Sequence, residues 1–302
     1  MTPRAALTIA GSDSGGGAGI QADIKTMMAF GVFSMSVITA LTAQNTLGVQ
    51  DSLPVPASFV GRQLDSIFQD IVPDAVKIGM IADAGQVRVI SGKLRAYGAG
   101  HIVIDPVMIS TSGRRLMPED AAELAREILY PQAQLLTPNI PEAEYLAGMC
   151  ISSDADRERA ASLIVHEIGC PVLIKGGHAV SKKSKTAGSC EEKTSNRFGR
   201  EAEAGGRSDD LLHDGTQMIW LRGPRIFCRN THGTGCTLSS AIAAGLARGL
   251  STEAGVRVAK RYIEGALRDG MDIGHGNGPL NHAWPGKTAY FPDFHGESEI
   301  PE

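Results

Sequence analysis

Short apolar runs alternate with longer stretches of helical periodicity along this chain, and this alternation restricts the possible folds most. The runs at 5–10 and 75–78 have the length and character of buried strands, whereas 84–97 and 154–168 have the spacing of helices. A strand–helix alternation of this kind is typical of a mostly parallel sheet with helices on both faces. Ligands of such sheets bind beyond the carboxyl ends of the strands, so we expect functional residues in the turns after the strands.

The same periodicities predict the remaining elements. Further strands are expected at 32–39, 102–104, 135–136 and 172–175, and further helices at 18–30, 118–129, 235–248 and 253–268. Asp214-Gly215, placed between the runs 210–213 and 218–221, is a signal for a β-hairpin.

The stretch 181–208 breaks this pattern. It is polar, mixed in charge and without periodicity, so it has nothing to bury in a core. A loop of this length is either a functional lid or a solvated insertion, and the composition favours a mobile insertion. We therefore expect one α/β domain over 1–275 that carries this insertion, followed by an irregular tail over 276–302.

Composition argues against several classes of function. Hydrophobic residues make up 42% of the 302 residues and charged residues 21%, a balance that supports a sizeable core. The net charge of −4 argues against a nucleic-acid partner, and no apolar run reaches the roughly 18 residues of a membrane span. Five scattered cysteines show no zinc spacing, and the start of the chain lacks a signal-peptide core, so we expect reduced thiols and a cytosolic protein.

Glycine is abundant, at 36 of 302 residues against roughly 7% in an average protein, and it concentrates in turns. The turn 11–19 follows a strand and opens a helix, and Gly17-x-Gly19-x-x-Ala22 has the form of a dinucleotide fingerprint. The carboxylate that this fingerprint needs about 20 residues later is missing, so NAD binding is disfavoured. Asp23, on the following helix, could bind a polar ligand edge or face solvent, and spacing alone leaves both open.

A second glycine-rich turn, 230–238, follows the strand-like run 226–228 and opens a helix of small residues. Backbone N–H groups from Gly233 to Cys236 would form an anion-binding hole at the start of that helix. A thiol in this position should have a depressed pKa, because the positive helix end favours thiolate. The alternative is a small cysteine packed in a turn, and the combination of glycines, threonine and cysteine favours function.

Three further turns carry polar residues with two interpretations each. Asp105 puts a carboxylate at a strand end. Asn139-x-x-Glu142 suits water-mediated Mg²⁺ binding, and equally suits helix capping. Lys175 ends another strand, where it could meet a phosphate or be solvated. The GxxxxGK[ST] sequence is absent, so nucleotide binding would not be of the P-loop kind.

Taken together, these segments resemble the hydroxymethylpyrimidine/phosphomethylpyrimidine kinases. The resembling motifs run in family order and cover 11–23, 39–46, 77–80, 105–108, 137–142, 175–178 and 232–239. The resemblance implies a ribokinase-like three-layer αβα sandwich with a mostly parallel central sheet, often as a homodimer. It implies an enzyme of thiamine biosynthesis that phosphorylates the hydroxymethyl group of 4-amino-5-hydroxymethyl-2-methylpyrimidine and then the monophosphate. ATP and Mg²⁺ would be required, with a monovalent cation such as K⁺ as a further expectation.

The resemblance also assigns roles by matching position. The pyrimidine would be hydrogen-bonded or enclosed by Gly11, Asp23, Gln44, Met80 and Val107. ATP and Mg²⁺, the latter mainly through water, would be held by Lys175, Asn139, Glu142 and Asp105. The anion hole would consist of backbone from Gly233, Thr234, Gly235 and Cys236, and the thiolate of Cys236 would accept the hydroxyl proton.

Three rival functions remain. A pyridoxal-type kinase shares the fold and also accepts a ring hydroxymethyl group, but Asp23, Gln44 and Cys236 favour a pyrimidine. A non-catalytic pyrimidine sensor would not need the set of phosphate-binding residues. An oxidoreductase is disfavoured by the missing ribose carboxylate.

Overall fold

The structure is a computed structural model, and it describes residues 3–108, 116–177 and 206–286. Nine strands in these residues form a single sheet: β1 Ala5–Asp13, β2 Phe33–Asn45, β3 Gly48–Pro54, β4 Ala75–Ile78, β5 Ile102–Ile104, β6 Leu135–Leu136, β7 Val172–Ile174, β8 Asp210–His213 and β9 Met218–Leu221. Their order across the sheet is β3-β2-β1-β4-β5-β6-β7-β8-β9. The six strands from β2 to β7 in that order are parallel. At the edges, β3 pairs antiparallel with β2, β8 with β7, and β9 with β8.

The described residues contain eight α-helices, of which the last two follow the final strand: α1 Gly19–Ala29, α2 Ala57–Phe68, α3 Ala84–Ala96, α4 Glu119–Ile128, α5 Ile140–Ala147, α6 Asp154–Ile168, α7 Thr234–Ala247 and α8 Thr252–Asp269. Short 3₁₀ turns occur at Tyr130–Gln132 and Trp284–Gly286. None of the helices in this part of the chain combines the length and apolar character needed to cross a membrane.

Alternate strand residues face two separate apolar clusters, as the two-residue period of a strand requires. Leu7 and Ile78 belong to the cluster covered by α2 to α6, whereas Ala6 and Ala75 belong to the cluster covered by α1, α7 and α8. The predicted three-layer αβα architecture is therefore confirmed.

Helix α7 packs against the sheet through small residues, which permit a close approach. Ala241, Ala243 and Ala244 are fully buried, and the helix packs against α1, α8, β4 and β5. It begins at Gly233, whose φ of +82° is a left-handed conformation that glycine adopts without steric cost. The close approach brings the N-terminus of α7 against the carboxyl edge of the sheet.

Most predicted elements are confirmed, including α6 and the β8–β9 hairpin with their predicted bounds. Strands β1 and β2 run further than predicted because each continues by pairing with the other as far as Asp13 and Thr42, and β2 then pairs with β3. Strand β3 and helix α2 were not predicted, and α5 was indicated only by the helix-capping interpretation of Asn139 and Glu142. The predicted strand at 226–228 is wrong: between β9 and α7 the chain makes only isolated bridges, at Pro224 and His232, and 226–228 pair with no strand.

Part of the predicted C-terminal tail packs against the body of the protein. Leu280 and His282 are buried, and Thr237 of α7 shares a hydrogen bond of 3.0 Å with His282 Nε2. The hydroxyl of Tyr262 in α8 donates to the carbonyl oxygen of His282 at 2.6 Å. Residues 287–302 of the tail, and all but 206–208 of the predicted insertion, lie outside the described residues.

Candidate active site

Residues from separate motifs meet at the carboxyl edge of the sheet. A Cβ built on Gly11, in β1, would lie 3.1 Å from Sδ of Met80, which follows β4. A Cβ built on Gly235, at the start of α7, would lie 3.2 Å from Asp105 Oδ2 and 3.4 Å from Lys175 Nζ. The structure thus places these predicted residues at one edge, with α7 directed at the ends of the strands.

The two glycine-rich turns are in direct contact with each other. The carboxylate of Asp13 accepts hydrogen bonds from the backbone N–H groups of Gly15, Gly17 and Ala18, which shapes the first turn. A Cβ on Gly233 would overlap the carbonyl oxygen of Gly17, so this position in the second turn requires glycine. The absence of side chains therefore lets two backbones touch where a ligand would be enclosed.

The first turn of α7 has the properties of an anion-binding site. No side chain of the described residues caps it, and it contains no acidic residue. The N–H groups at the start of a helix have no partner within the helix, and the helix dipole makes this end electropositive. These properties are compatible with the predicted anion-binding role of the backbone from Gly233 to Cys236.

Lys175 and Asp105 form an ion pair next to this helix end. Lys175 Nζ lies 2.7 Å from Asp105 Oδ1, and the side chains are 14% and 3% exposed. Burial alone would lower the pKa of Lys175, but the charges of Asp105 and Glu142 outweigh it and raise the pKa. Lys175 therefore remains cationic at neutral pH and can neutralise phosphate charge.

Asn139 and Glu142 form a capping box at the start of α5, which was one of their two predicted interpretations. Asn139 Oδ1 accepts from the N–H of Glu142 at 2.9 Å, and Glu142 Oε2 accepts from the N–H of Asn139 at 2.8 Å. Burial raises the pKa of Glu142 to about 7, against the opposing effect of Lys175. A cation brought near the Glu142 carboxyl group would therefore lower its pKa and favour the charged form.

The donor set fits a magnesium ion that is held mainly through water. Among the residues the structure describes, no three His, Cys, Asp or Glu side chains converge on one point. Mg²⁺ usually keeps several waters and takes only one or two carboxylates together with the phosphates of its substrate. Asp105 and Glu142 match that requirement. Their carboxyl groups are close enough for the charge of Asp105 to raise the pKa of Glu142.

Cys236 differs from its predicted state. The backbone N–H of Gly19 donates to its sulfur, but burial raises the pKa of the thiol to about 11, with Lys77 opposing the increase. The prediction of a depressed pKa from the helix end is therefore wrong for the ligand-free protein. The loss of hydration on burial outweighs the helix end and the nearby lysine.

Asp23 also differs from its prediction, because its carboxylate lies beneath the site. It is fully buried and bound to Lys77 Nζ at 2.8 Å. The hydroxyls of Thr8 and Ser240 each donate to it at 2.6 Å. With its oxygens engaged inside the protein, Asp23 does not face a ligand, and a direct contact with the pyrimidine does not fit this placement.

Gln44 and Val107 are both half-buried at the edge of the sheet. The Gln44 side chain contacts Thr42 and His232, so a predicted substrate-binding residue lies directly beside the second glycine-rich turn. The N–H of Val107 donates to the carbonyl oxygen of Asp105 at 2.8 Å, which fixes this residue next to the ion pair.

Three residues of this region were not assigned a role from sequence: Asp13, Lys77 and His232. A role for Lys77 could have been predicted, since a lysine within the buried run Ala75–Ile78 requires an acidic partner. Asp13 precedes a run of glycine N–H groups, which a carboxylate can accept. Nothing in the spacing indicates that His232 reaches back across 219 residues to Asp13.

The carboxyl edge of this parallel sheet carries carboxylates, a buried lysine and an uncapped helix start. Phosphoryl transfer requires groups of these kinds. The family model for phosphomethylpyrimidine kinase matches residues 13–281. The chain is 42% identical to the hydroxymethylpyrimidine/phosphomethylpyrimidine kinase of Bacillus subtilis over 277 residues, which cover 92% of this chain and 94% of that protein. It therefore belongs to the phosphomethylpyrimidine kinase family, and the predicted kinase class is confirmed.

Solved structures agree with this assignment. A phosphomethylpyrimidine kinase from Clostridium difficile 630 superimposes with a TM-score of 0.71 at 38% identity, covering 87% of this chain and 99% of that one. An ADP complex of Bacillus subtilis pyridoxal kinase superimposes with a TM-score of 0.79 at 31% identity, covering 94% and 99%. The fold is thus shared with kinases named for two different ring substrates.

The Lys77–Asp23 pair predicts a large stability effect. Lys77→Met leaves the Asp23 carboxylate buried without a counter-charge, so we expect a loss of about 3–5 kcal/mol in the free energy of unfolding. Urea titration followed by circular dichroism measures this loss. The double variant Lys77→Met/Asp23→Leu removes both charges and should recover much of it.

Lys93 provides the matched control, because it forms a similar ion pair with Asp65, at 2.6 Å, with both side chains about one-third exposed. Lys93→Met should change stability far less, since solvent screens this pair. Equal losses for Lys77→Met and Lys93→Met would show that the buried pair has no special role.

Proposed function

We propose that the protein transfers the γ-phosphate of ATP to the hydroxymethyl group of 4-amino-5-hydroxymethyl-2-methylpyrimidine, and then phosphorylates the monophosphate, in thiamine diphosphate biosynthesis. The observation that carries this proposal is the contact between the uncapped start of α7 and the Gly11–Gly19 turn, beside Lys175 and Asp105. This contact supports a phosphate-binding role for the start of α7 close to the residues proposed to bind the pyrimidine. Relatives that match 92% and 94% of the chain and are named for both phosphorylations support it.

Positioning and charge neutralisation supply the catalysis in this proposal. The transition state of phosphoryl transfer is loose, so little covalent chemistry is required of the protein. Lys175 and the N–H groups from Gly233 to Cys236 would hold the transferred phosphate. Mg²⁺, held mainly through water by Asp105 and Glu142 beside Asn139, would neutralise charge between the phosphates. A requirement for K⁺ and a cytosolic location remain predictions from the family resemblance and the cysteine pattern.

The pyrimidine would lie against Gly11, Met80 and Val107, with Gln44 at its polar edge. The adjacency of Gly11 and Met80 supports this arrangement, since a larger residue at position 11 would displace the Met80 side chain. Asp23 takes a different role from the predicted one: with Lys77 it forms the floor below Cys236 and keeps α1 and α7 in place.

A pyridoxal-type kinase is the second candidate, because pyridoxal kinases from two organisms superimpose with TM-scores of 0.79 and 0.80 at about 30% identity. Pyridoxal also offers a hydroxymethyl group on a six-membered ring. The higher identity to relatives named as pyrimidine kinases favours the first candidate.

A coupled ADP-release assay with the pyrimidine, its monophosphate and pyridoxal in parallel tests the proposal. We expect turnover of the first two, with the highest kcat/KM for one of them. Turnover of pyridoxal alone would support the second candidate, and turnover of none would rule out the kinase activity proposed here.

Cys236 is the proposed general base, and this role predicts that kcat/KM depends on pH. With a thiol pKa raised to about 11 by burial, the thiolate fraction of the free enzyme increases with pH below that value. We therefore expect kcat/KM for the pyrimidine to increase between about pH 7.5 and 9.5, because this parameter reports the ionisation of the free enzyme.

Cys236→Ala should lower kcat by about 100-fold or more, and should remove the increase with pH. The KM for the pyrimidine serves as the control and should change little. An unchanged kcat in this variant would remove Cys236 from the mechanism.

A homodimer is part of the proposal, and the β2–β3 edge is the surface that supports it. Leu41 and Leu53 are register partners on neighbouring strands, and they are 47% and 66% exposed. Leu47, in the turn between these strands, is 65% exposed. Adjacent exposed leucines on an edge strand are typical of a protein interface.

Leu41→Glu/Leu53→Glu should therefore convert a dimer into a monomer in sedimentation velocity experiments. Met218→Glu is the matched control, because Met218 is also an exposed apolar residue on an edge strand, β9, at the opposite end of the sheet. A dimer that survives the double substitution, or is lost equally with Met218→Glu, would place the interface elsewhere.

A further inference from the structure

His232 joins the two glycine-rich turns through its ring. His232 Nε2 lies 2.8 Å from Asp13 Oδ2, and the two side chains are 12% and 3% exposed. The same ring packs against Gly17, where a Cβ would overlap it. The same nitrogen also lies 3.3 Å from the side-chain nitrogen of Gln44. A single atom therefore contacts the first turn and the residue proposed to bind the pyrimidine.

The contact with Asp13 decides which nitrogen of His232 carries a proton. Burial raises the pKa of Asp13, but the hydrogen bonds from His232 and from backbone N–H groups outweigh it, and the pKa is lowered. Asp13 is therefore a carboxylate, which can only accept hydrogen bonds. The short contact consequently requires a proton on His232 Nε2.

A protonated Nε2 cannot also accept a hydrogen bond from the Gln44 amide nitrogen. The Thr42 hydroxyl donates to the Ser12 carbonyl oxygen at 2.8 Å and lies 3.3 Å from the Gln44 amide. Rotating the Gln44 amide by half a turn removes the donor–donor contact at Nε2. The amide oxygen then becomes the second, longer acceptor of the Nε2 proton that Asp13 Oδ2 accepts at 2.8 Å, and the amide nitrogen donates to the Thr42 hydroxyl oxygen. Both orientations of the amide occupy nearly the same space, so the hydrogen-bond partners decide between them.

We propose that His232 is a positioning residue that holds the Gln44 amide with its oxygen toward Nε2 and so determines the hydrogen-bond pattern offered to the substrate. This inference rests on the proposed pyrimidine-binding role of Gln44. In this orientation the amide keeps one N–H and one oxygen lone pair for a ligand. An amino group beside a ring nitrogen offers the complementary donor and acceptor. A pyridoxal ring instead presents a phenolic oxygen beside an aldehyde oxygen, with no amino group beside a ring nitrogen.

The proton position is measured first and does not depend on activity. Long-range ¹H–¹⁵N spectra of the full-length protein labelled at histidine nitrogens report which ring nitrogen is protonated, and His232→Gln assigns the signal. We expect a proton on Nε2 of His232. A ring protonated on Nδ1 alone would overturn the proposal.

The kinetic test compares two substitutions of the same residue. His232→Leu removes the donor, so we expect the KM for the pyrimidine to increase at least tenfold and the ratio of kcat/KM for pyrimidine over pyridoxal to fall at least tenfold. His232→Gln can place an N–H near the Nε2 position and should retain most of both values. The KM for ATP should change by less than about threefold in both variants, because the phosphate contacts remain.

The two proposals fail in different ways. A wild-type protein that turns over no pyrimidine refutes the proposed function, while the position of the His232 proton still tests the amide orientation. A wild-type protein that phosphorylates the pyrimidine, combined with an unchanged specificity ratio in folded His232→Leu, refutes the role of His232 alone. Equal increases in the KM for ATP and for the pyrimidine would indicate a general disturbance of the turns, and would also count against it.

Discussion

The buried ion pair between Lys77 and Asp23 is the interaction on which the rest of the site depends. It lies where β4, α1 and α7 meet, and hydroxyls from β1 and α7 complete the hydrogen bonding of the carboxylate. Two charged groups that are removed from water need such close pairing and hydrogen bonding, because each buried charge would otherwise be strongly destabilising. The pair therefore fixes the starts of α1 and α7 relative to the sheet, and both glycine-rich turns immediately precede these helices.

The contact between the two turns follows from that placement. Gly17 and Gly233 touch through backbone alone, and Asp13 and His232 connect the same turns through side chains. The first turn of α7 thereby lies beside the Lys175–Asp105 pair. Phosphate binding and ring binding would thus share one rigid support, which favours the alignment that phosphoryl transfer needs.

Much of the fold could be predicted from local pattern. The buried run Ala75–Ile78 and the helix Asp154–Ile168 have clear periodicities and are observed with the predicted bounds. Strand β3 could not be predicted in this way, because its residues are mostly exposed and its only partner is β2. Its formation depends on a hairpin partner rather than on a buried face of its own.

The site was predictable in position but not in its ionisation or orientation. The strand-end rule and the glycine turns correctly indicated that Gly11, Asp105, Lys175 and Gly235 lie at one edge of the sheet. The direction of the Cys236 pKa shift was reversed, because burial is a property of the packed structure. Asp23 was assigned to a ligand because a sequence does not show which face of a helix is covered.

Residue order and chemistry alone established a parallel α/β sheet, the turns that carry the polar groups and the kinase family. These follow from local periodicity, from the conformations that glycine permits and from the order of the motifs. Folding in three dimensions decided which charges lose their water and which distant side chains meet. The distance of 219 residues between Asp13 and His232 becomes a contact of 2.8 Å, and such contacts determine proton positions and ligand access.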